Sequence, residues 1–191
     1  MRSIYDDLPA LISLDIEAAG PIPSQYALLS VGACTVTLPR KTFYVELIPD
    51  KEKAEAGATK VHGLDLEKLK QEGLPPAEAM QRLASWLAEV IPTGINPVML
   101  AFNAPFDWMF IHDYFIRYLG HNPFGHSAVD IKAIYLGASG KSWQESSGEN
   151  LHRRYIHGKL LSHNALQDAI DQSVIFEGLL KEFHNPGSDK A

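Results

Sequence analysis

Asp15 and Glu17 close a short apolar run, ALISLDIE, at residues 10–17. Side chains alternate along a strand, so both carboxylates leave the same face near its C-terminal end, where they repel each other unless a cation lies between them. A third acid, Asp107, follows Asn103-Ala104-Pro105-Phe106, and Pro105 suits the first position of a helix. Asp107 then sits in the first turn, at the positive end of the helix dipole. A fourth, Asp168, comes five residues after His163. Five positions on one helix turn two side chains apart by about 140°, so this pair converges only if His163 precedes the helix. Asn164 and Gln167 have the spacing of a capping box, which sets Asn164 at the N-cap, His163 outside and Asp168 one turn in. Four carboxylates and a histidine at strand ends and helix starts form a hard-oxygen site suited to Mg²⁺ or Mn²⁺. Zinc is disfavoured, because no Cys/His cluster has ligand spacing and the lone Cys34 falls inside a strand-like run as a small buried apolar group.

The elements that must position these groups are legible in outline. Residues 26–38 and 41–48 are β-rich runs joined by Pro39-Arg40, a hairpin that extends the first strand into an N-terminal antiparallel three-stranded meander. From Pro75 onward, Met80, Leu83, Leu87, Val90 and Ile91 form one helical stripe. Residues 97–102 read as a strand of the same sheet, whose exit carries Asp107 toward Asp15 and Glu17. Helices follow at Pro105–Leu119 and Ala165–Phe183. The expectation is one α/β domain over residues 1–183 around a mixed sheet with flanking helices, then a disordered tail, 184–191. Residues 141–149 (KSWQESSGE) read as a mobile polar loop, and His121 and His126 as loop residues.

Composition narrows the function. The chain has 191 residues, 46% hydrophobic and 21% charged, with Lys+Arg 17 against Asp+Glu 23 for a net charge of −6. Disordered, collagenous and coiled-coil classes are excluded, and the acidic field opposes tight, indiscriminate duplex binding. A single cysteine, no basic-then-apolar leader and no membrane-length apolar run point to a cytoplasmic protein with no membrane partner.

Three stretches in order, DIEAAG, NAPFDWMFI and HNALQDA, resemble the motifs of the DnaQ-like (DEDDh) 3′–5′ exonucleases, the group of ribonuclease T and the proofreading exonucleases. Residues 61–64 (VHGL) are similar to the family's segment after its third strand, and the likeness spans roughly residues 10–180. It implies a ribonuclease H-like fold. It further implies that Asp15, Glu17, Asp107 and Asp168 hold two Mg²⁺ or Mn²⁺ ions and that His163 is the general base. Single-stranded RNA or DNA 3′ ends would be the substrate, nucleoside 5′-monophosphates the product, and a homodimer the assembly, to which the apolar excess of residues 108–119 adds weight. The chain departs from the family where Ala18 and Ala19 replace hydroxyl-bearing residues and where Phe102 replaces the histidine before Asn103.

Substrate contacts are expected from Ala18 through its backbone, and from Phe102, Asn103 and Phe106, with Trp108 as a further stacking candidate. Arg153, Arg154 and Lys159, with His152 and His157, form either a strand-guiding basic cluster or an ordinary solvated face. Two other classes share these residues: a catalytically silent nucleic-acid-binding domain, and a metal-dependent phosphohydrolase of small nucleotides.

Overall fold

The apolar run around Asp15 forms the central strand, β1 (Leu11–Ala18), of a five-stranded sheet in a computed structural model that describes residues 4–55, 57, 63–156 and 162–184. A four-residue helix, α1 (Ile4–Asp7), and a 3₁₀ turn at Leu8–Ala10 lead into it. Strands β2 (Leu28–Thr35) and β3 (Thr42–Glu46) complete the antiparallel meander. They are shorter than the runs at 26–38 and 41–48, which lose residues at both ends to the connections. On the other side of β1, strands β4 (Val98–Ala101) and β5 (Ala128–Asp130) pair in parallel, giving the order β3-β2-β1-β4-β5.

The alternation along β1 decides which layer each residue serves. Ile12, Leu14 and Ile16 enter a core shared with α3 (Pro76–Val90) and α4 (Pro105–Leu119). The expected stripe of α3 is there, with Met80, Leu83 and Leu87 buried, and α4 stops at Gly120, whose left-handed backbone ends the helix. The opposite face of β1 carries Leu11, Ser13, Asp15 and Glu17 toward the last helix, α7 (Ala165–Phe183). Ser13 Oγ donates to the Ala169 carbonyl at 2.7 Å. Where the start of α7 crosses β2, a Cβ on Gly32 would lie 2.1 Å from Leu166 N. Only glycine admits this approach, and Gly32 is the register partner of Asp15, so the close crossing sets the first turn of α7 over the acidic end of β1.

Besides α1, three short helices lie outside what the sequence predicts: α2 (Leu66–Glu72, N-capped by Asp65), α5 (Ile131–Ser139, N-capped by Asp130) and α6 (Gly148–Tyr155). The last corrects the loop expected at 141–149. Ser147 Oγ accepts from Asn150 N and starts α6, so Gly148 and Glu149 are helical. Residues 185–191 of the expected tail lie outside the described residues. Among the described helices, none is long and apolar enough to cross a membrane.

Candidate active site

The ends of β1 and β4 and the starts of α4 and α7 meet at a cleft of ≈ 560 Å³. Asp15, Glu17 and Asp168 each bring a carboxylate oxygen within 4.8 Å of the others. Asp107 lines the same cleft just behind them, and its Oδ1 accepts from Ile16 N at 3.1 Å, the amide between the two β1 acids. All four predicted carboxylates therefore share one cavity, with three in mutual contact range. His163 stands outside α7 as the cap predicts, exposed and lining the cleft. Asn164 Oδ1 accepts from Gln167 N, but the reciprocal half of the capping box is not made, since Asn164 N donates to Ser162 Oγ instead. Among the described residues two non-glycine residues have left-handed backbones, Asn103 (φ 58°) and His163 (φ 50°), and both line the cleft. Such positions carry local strain that the surrounding structure must hold.

The acids are held by neighbours that the motifs do not name. Gln172 donates from Nε2 to Asp15 Oδ1 at 2.7 Å, and its Oε1 accepts from Phe102 N at 3.0 Å, so both ends of the amide are committed. It lies four residues after Asp168 on the same face of α7, the one signal that could have found it. Ser162 donates to Asp168 Oδ1 through its N at 3.1 Å and its Oγ at 2.9 Å. His152 is buried at the cleft wall, and its Nδ1 has no hydrogen-bond partner.

The crowding is visible in the proton affinities. Desolvation, then the charges of Asp107, Asp168 and Glu17, hold the Asp15 carboxyl well above the usual range, against the opposing Gln172 hydrogen bond. Burial, then Asp168, pushes Glu17 to about 7. Burial also raises Asp107, although amides of Ile16 and its own helix turn oppose it. In metal-free protein the folded state therefore keeps protons that the unfolded chain releases in the ordinary carboxylate range. This contribution to stability is complete below that range and is lost as pH rises through about 7. With chelator, the melting temperature is expected to fall between pH 5 and pH 8. Millimolar Mg²⁺ or Mn²⁺ should restore several degrees at pH 8, since a hundredfold excess over Kd adds about 2.7 kcal/mol. Asp107→Asn should melt above wild type without metal and gain less from it; a wild-type midpoint indifferent to both pH and metal would mean that the carboxylates act independently.

Of the expected substrate contacts, Phe102, Asn103 and Phe106 line the cleft. Ala18 is buried in the sheet beside it. Trp108 turns away, one position round the helix from Asp107, and stacks on His112 with centroids 5.4 Å apart. Arg153 and Arg154 do not line the cleft: the first pairs with Glu149, a residue of the cleft rim, at 2.8 Å, and the second with Glu182 of α7 at 2.6 Å. Lys159 and His157 lie outside the described residues. The cationic side chain that does line the cleft is Lys132, on α5.

A mixed sheet ordered 3-2-1-4-5, with acids at the end of β1 and in the first turns of α4 and α7, is a ribonuclease H-like arrangement, and the chain belongs to the DEDDh 3′–5′ exonucleases. It is 41% identical over 170 residues to the 3′–5′ DNA exonuclease Cap18 of Escherichia coli, covering 89% of this chain and 91% of that relative. The membership makes it an enzyme and sets aside the silent binding domain. Its fold is similar to the nuclease domain of 3′hExo, a DEDDh family member bound to rAMP, with a TM-score of 0.72 at 12% identity over 90% of this chain and 92% of that one. It is also similar to Escherichia coli exonuclease I in complex with a 5cy-dT13 oligonucleotide, with a TM-score of 0.70 at 17% identity over 90% of this chain but 40% of that one. No protein-family model matches the chain.

Proposed function

We propose that the protein removes nucleotides one at a time from the 3′ end of single-stranded DNA by water attack on the terminal phosphodiester, with two Mg²⁺ or Mn²⁺ ions held by Asp15, Glu17, Asp107 and Asp168. The observation that carries this reading is the convergence of the Asp15, Glu17 and Asp168 oxygens within 4.8 Å at the floor of an open cleft. The donor set fits such ions: it is all carboxylate oxygen, and these acids raise each other's proton affinity in a way that divalent charge would relieve. Bound there, a pair of divalent ions supplies charge neutralisation at the reacting phosphate and acidifies the attacking water.

The remaining work falls to the chain's own groups. Gln172 fixes Oδ1 of Asp15, a residue that lines the cleft. His163, free of the helix, takes the proton of the attacking water at a ring nitrogen. The water oxygen bonds to phosphorus as the P–O3′ bond breaks, O3′ stays on the shortened strand and takes a proton from solvent, and a nucleoside 5′-monophosphate leaves. Phe102 and Phe106 offer ring surface to the terminal base or sugar, contacts that need not read sequence. DNA is favoured as substrate by the name of the 41% identical relative. A homodimer has one supporting observation, the outer face of α4, where Ile116 is 46% exposed beside Trp108 and Met109.

The test is a time course on 5′-labelled DNA and RNA oligomers. With Mg²⁺ or Mn²⁺ a ladder should shorten from the 3′ end, faster on DNA, and chelator should stop it. Oligomers of several lengths that stay intact with both ions would overturn the reading, and hydrolysis confined to mononucleotides would replace it with a small-nucleotide phosphohydrolase.

A further inference from the structure

A polyanion must reach four carboxylates on a chain of net charge −6. Something at the cleft has to receive it. Among the described residues lining the cleft, Lys132 is the sole lysine or arginine, and no carboxylate pairs with it there. The basic residues of the Trp143 loop and of α6 each have a carboxylate partner: Lys141 has Glu145, Arg153 has Glu149 and Arg154 has Glu182. Lys132 Nζ instead lies 3.4 Å from the ring centroid of Trp143, which is 60% exposed. A tryptophan so open forgoes the burial that this side chain ordinarily gains. Its loop is nonetheless braced. Ser142 donates through N and Oγ to Glu145 Oε2, Ser146 N donates to the Ser142 carbonyl, and Ser147 caps α6. The same loop reaches the cleft within a few residues, at Ser147 and Gly148, where a Cβ on Gly148 would come within 3.3 Å of the Phe102 ring.

We propose that Trp143 and Lys132 form a landing subsite for the single strand on the 5′ side of the scissile bond, Trp143 stacking a base and Lys132 receiving the adjacent phosphate. The proposal rests on the exonuclease reading above. A single strand alternates π faces with phosphates, and an aromatic ring with a cation beside it matches one repeat of that pattern without reading sequence. The subsite lies beyond the terminal nucleotide, so it acts on strands long enough to reach it and contributes little to a dinucleotide.

Binding of dT6 and dT2 is measured with Ca²⁺ replacing Mg²⁺ and Mn²⁺, by quenching of Trp143 fluorescence in a Trp86→Phe, Trp108→Phe background and by anisotropy of a 5′-labelled strand in all variants. dT6 should quench Trp143. Trp143→Ala should weaken dT6 binding by roughly tenfold and dT2 binding by less than twofold, with Trp143→Phe recovering most of the dT6 affinity. Lys132→Gln should reduce the salt slope of log Kd for dT6 by about 0.7, the value for one phosphate on a single strand. Equal losses for dT6 and dT2, or no quench on binding, would overturn the subsite. Degradation of dT6 by wild type with Mg²⁺, run in parallel, separates the two claims: a degraded strand with no Trp143 effect removes the subsite alone, and an intact strand removes the exonuclease reading with it.

Discussion

Asp15→Asn is expected to abolish turnover while leaving the fold in place. The amide has the shape of the carboxylate, and its oxygen can still accept from Gln172 Nε2, so the contact that ties β1 to α7 survives. What is lost is an acid whose carboxylate lies within 4.8 Å of those of Glu17 and Asp168 and whose proton affinity burial and the charges of Asp107, Asp168 and Glu17 raise. Removing one preorganised electrostatic group typically costs about 10²–10³-fold in rate, and here the missing charge should also weaken the divalent-ion binding proposed for these acids. Single-turnover rates on a 5′-labelled oligomer and calorimetric titration with Mn²⁺ measure both effects. A variant that keeps its rate within tenfold of wild type would remove Asp15 from the chemistry.

His163→Ala should lower turnover by about 10²–10⁴-fold, the usual range for losing a general base, with Mn²⁺ affinity nearly intact. The ring is exposed at the cleft, outside the carboxylate cluster, on a residue whose left-handed backbone holds it clear of α7. A proton acceptor and a ligand part company here. If the calorimetric affinity of His163→Ala fell as far as that of Asp15→Asn, the histidine would belong to the ion site and the base would have to be another group.

What the sequence made legible were features with local signatures. Pro105 and Gly120 bracket α4, Asn164 starts α7, and alternation along β1 separates the core residues from Asp15 and Glu17. The convergence of the acids followed from the strand ends and helix starts that carry them. Elements without such signatures were not found: β5 has three residues, too few for a period, and α5 and α6 are short helices whose polar caps read as loop. The two readings of the basic cluster could not be separated for a related reason. Glu149 and Arg153 have the i,i+4 spacing of a helical ion pair, but that spacing has meaning only once α6 is a helix. Gln172, Lys132 and Trp143 needed the tertiary structure, since their partners are distant in sequence or on a different element.

The crossing of α7 over Gly32 also bears on when the protein becomes dangerous. A nuclease made beside nucleic acids is safest if it is inert until finished. Asp15 and Gln172 are separated by 157 residues, and the floor of the cleft exists only after α7 has come down on β1 and β2. During synthesis the β1 acids emerge early and wait without Asp168, His163 or the amide that orients Asp15. Domains generally fold as units as they leave the ribosome, so competence arrives in the last docking event and not by increments. The long-range closure thus couples competence to one packing step: before α7 docks, the acids and His163 lie on separate pieces of the chain.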